Sequence, residues 1–220
     1  MAFATYVFDA YGTLFDVHAA VRHHAAALGP DAARLSDLWR AKQLEYSWVR
    51  SLSGTYRDFW RLTEDALDTA FAAHPDADRS LRGALLEAYR RLDCYPEVPH
   101  VLKELKADGA RVAILSNGTR AMLEQAVLAA GLEAAIDDVM SVDEIGIYKP
   151  DPRVYEMATL RYRVFPSAIS FQSSNRWDAA GAAKFGFRSV WINRSGAVEE
   201  YPDLAPAAVL KDLGGLAGLP

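Results

Sequence analysis

Apolar positions follow two different rhythms along the chain. From His18 to Tyr95 they recur at helical spacings, through Leu35, Leu38, Trp39, Leu44, Trp48, Phe59, Leu62, Leu67, Phe71, Leu81, Leu85 and Leu92. Breaks fall at Leu28-Gly29-Pro30, Ser53-Gly54 and His74-Pro75-Asp76. This stretch predicts a helical bundle with no strand of its own. On either side the rhythm changes. Ala4 to Phe8 is a short β-prone run ending at Asp9, with Gly12-Thr13 as a turn. After Pro96, helices over Val98–Ala107, Met122–Ala130, Pro152–Arg163 and Asp178–Phe185 alternate with strands. The strands span Arg111–Leu115, Val139–Val142, Ala168–Phe171 and a last one, Ser189–Ile192. Unbroken apolar strands between amphipathic helices predict a parallel sheet covered on both faces. The fold class is therefore α/β: a doubly wound, mostly parallel Rossmann-like core of residues 1–15 and 96–220, with a helical cap, 16–95, inserted into it.

In such sheets the binding crevice lies beyond the carboxyl ends of the strands. Those ends carry Asp9, Ser116-Asn117 and Ser173-Ser174-Asn175, and Lys149 sits on a loop between a strand and a helix. Polar residues interrupting apolar runs at several strand ends are more informative together than any one alone. Asp can form a covalent ester, so a carboxylate at a strand mouth is a candidate nucleophile; standing alone, it would read as a turn or helix cap.

Composition changes this picture little. Of 220 residues, 51% are hydrophobic and 24% charged, as expected of a globular protein. A net charge of −5 argues against nucleic acid or an anionic membrane as partner, while leaving room for a small anion in a local cationic pocket. No stretch is long enough to span a membrane, and no signal peptide is recognisable, so the cytoplasm is the expected location. Cys94, the single cysteine, excludes an intrachain disulfide and a cysteine metal cage, and reads as a small core hydrophobe. His18, His23, His24, His74 and His100 lie away from the strand ends and read as helix-surface residues. Gly118, Gly131 and Gly181 read as backbone or close-packing positions. No glycine-rich phosphate loop is present.

Four segments resemble the four motifs of the haloacid dehalogenase superfamily, in order and on the matching elements. They are Phe8-Asp9-Ala10-Tyr11-Gly12-Thr13-Leu14-Phe15-Asp16, Ser116-Asn117, Lys149-Pro150 and Ser173-Ser174-Asn175-Arg176-Trp177-Asp178. The superfamily's phosphatases generally carry a second Asp two positions after the nucleophile and an acidic magnesium ligand early in the fourth motif. Here those positions hold Tyr11 and Ser174. A hard divalent cation needs several anionic oxygens, and Asp9 with Asp178 beside Lys149 offers a poor cage. The wording of the first and fourth motifs resembles instead the L-2-haloacid dehalogenase branch.

That resemblance implies hydrolysis of short (S)-2-haloalkanoic acids to (R)-2-hydroxyalkanoic acids, with no metal or other cofactor. Asp9 would attack C2 and expel halide, and water would then cleave the aspartyl ester. Lys149 and Thr13 are suited to hold the carboxylate. Arg40, in Leu38-Trp39-Arg40-Ala41-Lys42-Gln43-Leu44, and Asn117 are the halide donors that the resemblance implies; by itself Arg40 would read as a solvated helix residue. Ser116, with backbone N–H groups near Ala10 and Tyr11, would take the substrate carboxylate. Asp178 is the candidate base for water, with Ser173 and Asn175 orienting the site. Tyr155 reads equally as a site residue and as a core aromatic. Tyr11, Leu44, Phe59 and Trp177 would wall the alkyl group, although cap packing explains Leu44 and Phe59 as well. Ala41 stands where relatives can carry a longer polar side chain, which bears on pocket size. The expected partners are the haloacid, halide and water, and the resemblance implies a homodimer. Two alternatives remain open at this point: a magnesium-dependent phosphohydrolase of the same superfamily, and a catalytically silent binding scaffold.

Overall fold

A computed structural model describes residues 3–219. The first strand, β1 (Thr5–Phe8), is buried at every position, which is why the sequence there is apolar without alternation. The chain then leaves the sheet for five helices: α1 (Ala19–His23), α2 (Ala25–Leu28), α3 (Ala32–Leu52), α4 (Phe59–Ala73) and α5 (Arg82–Arg90). The long α3 buries Leu35, Trp39, Gln43 and Ser47, a stripe at i, i+4 spacing that packs against α4. It ends at Ser53-Gly54, where Gly54 takes φ 65°. The Asp58 side chain accepts from Arg61 N (3.0 Å) and so caps the start of α4.

The chain returns through α6 (Val98–Ala107), β2 (Arg111–Ser116), α7 (Arg120–Ala129), β3 (Asp138–Ser141), α8 (Pro152–Tyr162), β4 (Ile169–Ser173), α9 (Arg176–Phe185), β5 (Arg188–Ile192) and β6 (Ala208–Leu210). All six strands are parallel, in the order β3-β2-β1-β4-β5-β6. The strand order reverses around β1, so the crevice that open α/β sheets use lies beyond β1, β2 and β4. The fold class agrees with the sequence reading. One element corrects it: Ser189–Ile192 is not the last strand, because β6 adds an edge at Ala208–Leu210. Its three residues, half-buried or exposed and preceded by Pro206, are too few to show a period of two.

The two connectors between core and helical insertion run side by side. Asp16 N donates to Asp93 O (2.9 Å), and Tyr95 N donates to Leu14 O (3.0 Å). Arg194 fastens both. It donates to Thr13 O (2.8 Å), pairs with Glu97 (2.7 Å) and stacks over the Tyr95 ring (3.6 Å). Cys94 lies half-buried in the second connector, and burial pushes its thiol up, as suits packing rather than nucleophilic chemistry. Among the described residues no helix is long and apolar enough to cross a membrane.

Candidate active site

The end of β1 delivers Asp9 into the crevice, 5% exposed. From the far side of the sequence, Lys149 places its ammonium between two carboxylates, 3.2 Å from Asp9 Oδ1 and 2.9 Å from Asp178 Oδ2. Lys149 is 1% exposed and Asp178 fully buried. The lysine also sits over the Phe171 ring, 4.9 Å from its centre. Burial alone would depress the lysine, but Asp178 and Asp9 outweigh it and hold the ammonium above the ordinary lysine range. Burial pushes the Asp178 carboxyl above the usual carboxylate range; Lys149 opposes that rise and Asp9 adds to it.

Asp9 Oδ2 takes neutral donors: Thr13 Oγ1 (3.2 Å) and Asn175 Nδ2 (2.8 Å). Thr13 in turn accepts from Ser174 N (2.8 Å), which leaves its proton directed to Asp9. Ser173 Oγ accepts from Asn175 N (3.2 Å), shaping the loop that opens α9. The Asn175 amide is read from both ends, because its oxygen accepts from Arg40 (3.3 Å) while its nitrogen reaches Asp9. Arg40 comes down from α3 and donates to Tyr11 O as well (3.2 Å). An arginine that spacing alone would put in solvent is thus half-buried against the strand ends.

Other candidates lie around this group. Ser116, buried at the end of β2, accepts from Gly118 N (3.1 Å). Asn117 Oδ1 accepts from Lys149 N (3.0 Å), tying the second motif to the third. Tyr155 is a buried core aromatic, and its hydroxyl donates to Asp178 Oδ1 (2.8 Å). Burial, reinforced by Asp178, pushes that phenol well up, so it stays a donor. Ala10 is fully buried, and its carbonyl accepts from Thr13, Leu14 and Phe15 N–H groups, folding the turn after Asp9. The Tyr11 ring lies against Phe59 (6.2 Å) and stacks on Tyr89 (5.6 Å). Trp177 is half-buried, edge-on to Trp48 (5.4 Å), and lines an apolar cavity of about 490 Å³ that also reaches Lys149. Leu44 lies one helical turn beyond Arg40, half-buried.

The histidines pair elsewhere: His18 with Ser36 (2.8 Å) and His23 with Asp93 (2.7 Å). Two glycines are explained by close approach. A Cβ on Gly118 would stand 2.6 Å from Tyr11 Cε2, and one on Gly181 would collide with the Tyr155 hydroxyl. Gly181→Ala should push Tyr155 off Asp178 at a cost of about 1–3 kcal/mol. Thermal denaturation checks this; an unshifted melting temperature would contradict it.

Sequence reasoning missed Tyr89, Gln43 and Thr63. They are buried polar residues of the cap whose helical spacing is that of ordinary core positions.

The ammonium of Lys149 stands where a cation shared by Asp9 and Asp178 would have to sit, so these residues do not fit a magnesium ion. What the arrangement can do is hold an oriented carboxylate beside a second carboxylate and a guanidinium.

The chain is similar to known proteins. Residues 3–186 match the haloacid dehalogenase-like hydrolase family. (S)-2-haloacid dehalogenase 1 of Pseudomonas sp. (strain CBS-3) is 53% identical over 89% of this chain and 86% of its own. (S)-2-haloacid dehalogenase 4A of Burkholderia cepacia is 49% identical over 91% and 87%. The L-2-haloacid dehalogenase of Xanthobacter autotrophicus, solved with chloropropionic acid covalently bound, superposes with a TM-score of 0.86. It is 35% identical, over 99% of this chain and 98% of that one. By sequence and by fold the chain belongs to the haloacid dehalogenase-like hydrolases, alongside the (S)-2-haloacid dehalogenases.

Proposed function

We propose that the protein hydrolyses short (S)-2-haloalkanoic acids to (R)-2-hydroxyalkanoic acids through an ester on Asp9, without metal. The observation that carries this reading is the Asp9–Lys149–Asp178 constellation, in which a buried ammonium bridges two carboxylates. It disfavours the phosphohydrolase alternative. Keeping three charges in one buried cleft also disfavours a silent scaffold, since such groups are costly without a use.

Asp9 Oδ1, held by Lys149, attacks C2 in line, the C–X bond breaks, and halide leaves toward Arg40 and Asn117. Ser116 and the backbone N–H groups near Ala10 and Tyr11 take the substrate carboxylate, while Tyr11, Leu44, Phe59 and Trp177 enclose the alkyl group. Once Oδ1 is alkylated, Oδ2 is the ester carbonyl oxygen, and Thr13 and Asn175 already donate to it. Neutral donors on the oxygen where charge develops stabilise the tetrahedral intermediate. Asp178, steadied by Tyr155, takes the proton of the attacking water; Ser173 keeps Asn175 in register. The product oxygen on C2 is the former Oδ1, and C2 is inverted.

Asp178 must be ionised to act as base, and its pKa is raised. Ester hydrolysis therefore falls as pH drops through that raised value, so the acid limb lies above the ordinary carboxylate range. Asp178→Asn should give one equivalent of halide and then stall, with the ester visible in the intact mass. Multiple turnovers at the parent rate would contradict the assignment.

Residues 1–15 with 96–220 form the catalytic core and 16–95 the cap, which shields the first step from water. The chain works in the cytoplasm as a homodimer, supported by the exposed Val49 and Leu52 near the end of α3. Light scattering at twice the 24.2 kDa chain mass is the expected result.

Incubation with (S)- and (R)-2-chloropropionate in the presence of a chelator tests the activity. Chloride from the (S) acid alone is expected. No chloride from either acid, or from chloro- and bromoacetate, would overturn the proposal.

A further inference from the structure

Thr13 is held through every polar group it has. Its N–H donates to Ala10 O (3.2 Å), while its hydroxyl accepts from Ser174 N (2.8 Å) and donates to Asp9 Oδ2 (3.2 Å). Its carbonyl accepts from Nη2 of Arg194 (2.8 Å). Arg194 stands two residues beyond the end of β5, on backbone that the sheet edge fixes. Arg194 N donates to Ile192 O (3.0 Å), and Asn193 N donates to Leu210 O on β6 (2.7 Å). The same Nη2 pairs with Glu97 (2.7 Å), and the guanidinium lies over the Tyr95 ring (3.6 Å). One nitrogen thus joins the turn after Asp9 to the connector that returns from the cap. The connectors are joined already by the two backbone hydrogen bonds between them, so the contact with Thr13 O is an added restraint on this turn.

We infer that Arg194 is a positioning residue that fixes the Thr13 turn and so aims the Thr13 hydroxyl at Asp9 Oδ2 for hydrolysis of the ester. The turn lies between β1 and α1 and includes Gly12 at φ 91°, so contacts from outside it carry much of its restraint. The two chemical steps use the hydroxyl differently. In halide displacement the carboxylate gives up charge, and a donor on Oδ2 does little to help. In ester hydrolysis Oδ2 gains the charge, and a fixed donor there lowers the barrier most. Loss of Arg194 should therefore fall on the second step.

This inference rests on the proposed ester on Asp9. The test is a rapid-quench single turnover of (S)-2-chloropropionate, with chloride release and decay of the ester followed separately, the latter by intact mass. In Arg194→Gln, ester decay should slow on the order of tenfold relative to chloride release, less than removal of a whole oxyanion donor costs. Equal slowing of both steps, or of neither, would mean a structural tie and overturns the inference. A double variant tests the route. With Thr13→Ala already in place, Arg194→Gln should alter ester decay less than about twofold, because its effect passes through the missing hydroxyl. A further tenfold loss in that background also overturns the inference. If Arg194→Gln does not fold, Glu97→Gln, which removes the charge opposite the guanidinium, should shift the same ratio in the same direction; an unchanged ratio there counts equally against it. A parent whose Asp9 peptide gains no label from ¹⁸O water would overturn the ester reading itself. A labelled parent with an unaltered ratio in Arg194→Gln would overturn the Arg194 assignment alone.

Discussion

Asp9→Asn should release no halide from (S)-2-chloropropionate above the rate without enzyme. The carboxylate contributes the electron pair that forms the bond to C2, and an amide oxygen is a far weaker nucleophile. Removal of a covalent nucleophile leaves only binding and electrostatic assistance, so the loss should reach at least about 10⁴-fold. The fold should survive, because the amide oxygen can still accept from Thr13 or Lys149, and Lys149 keeps Asp178 as counter-charge. An asparagine at this position faces a buried carboxylate and water during turnover, so deamidation could restore activity slowly. Freshly purified protein, checked by intact mass, separates that from genuine turnover. Steady chloride release by protein that retains the mass of the Asp9→Asn variant would exclude the ester mechanism.

Lys149→Met should damage stability and activity together. Its ammonium lies within 3.2 Å of Asp9 and 2.9 Å of Asp178, with solvent nearly excluded. Surface ion pairs are worth little, but removing one partner of a buried group strands the other charges, at a cost of about 3–5 kcal/mol. The cost depends on pH in a definite direction. Asp178 already sits above the usual carboxylate range from burial, and Lys149 is what restrains it. Without the lysine the folded-state pKa rises further, so the folded variant binds a proton that the unfolded chain does not. Its contribution to stability is present at acid pH and is lost as pH rises through the raised value. The melting temperature of Lys149→Met should therefore fall away from the parent's as pH increases, with turnover lost throughout. A gap independent of pH would mean the carboxylates are not coupled through Lys149.

Much of this was legible because the polar residues sit where an apolar pattern stops. Asp9, Ser116 and Ser173 end buried strands, and a parallel sheet brings such ends together whatever their separation in sequence. The helical cap was visible as a change to helical period from His18 to Tyr95, broken only at short turn signals. Arg40 was different. Its helical spacing is that of a surface arginine, and its place came from resemblance; the structure adds the contacts with Tyr11 and Asn175. Tyr155 was ambiguous in sequence because its two readings describe one side chain, ring in the core and hydroxyl on Asp178. Strand β6 escaped because three edge residues carry no period. Tyr89, Gln43 and Thr63 escaped for a deeper reason: a buried polar residue looks like any other on its helix until its partners on neighbouring helices are placed.

The most direct test of the account is one turnover in ¹⁸O water, with enzyme in excess over (S)-2-chloropropionate. If the ester on Asp9 is cleaved by water at its carbonyl carbon, the new oxygen enters the Asp9 carboxylate. The peptide containing Asp9 should gain the label, and the hydroxy acid should carry none at C2. Labelled product from the first turnover, with an unlabelled Asp9 peptide, would mean that water attacks C2 itself and that Asp9 is no nucleophile.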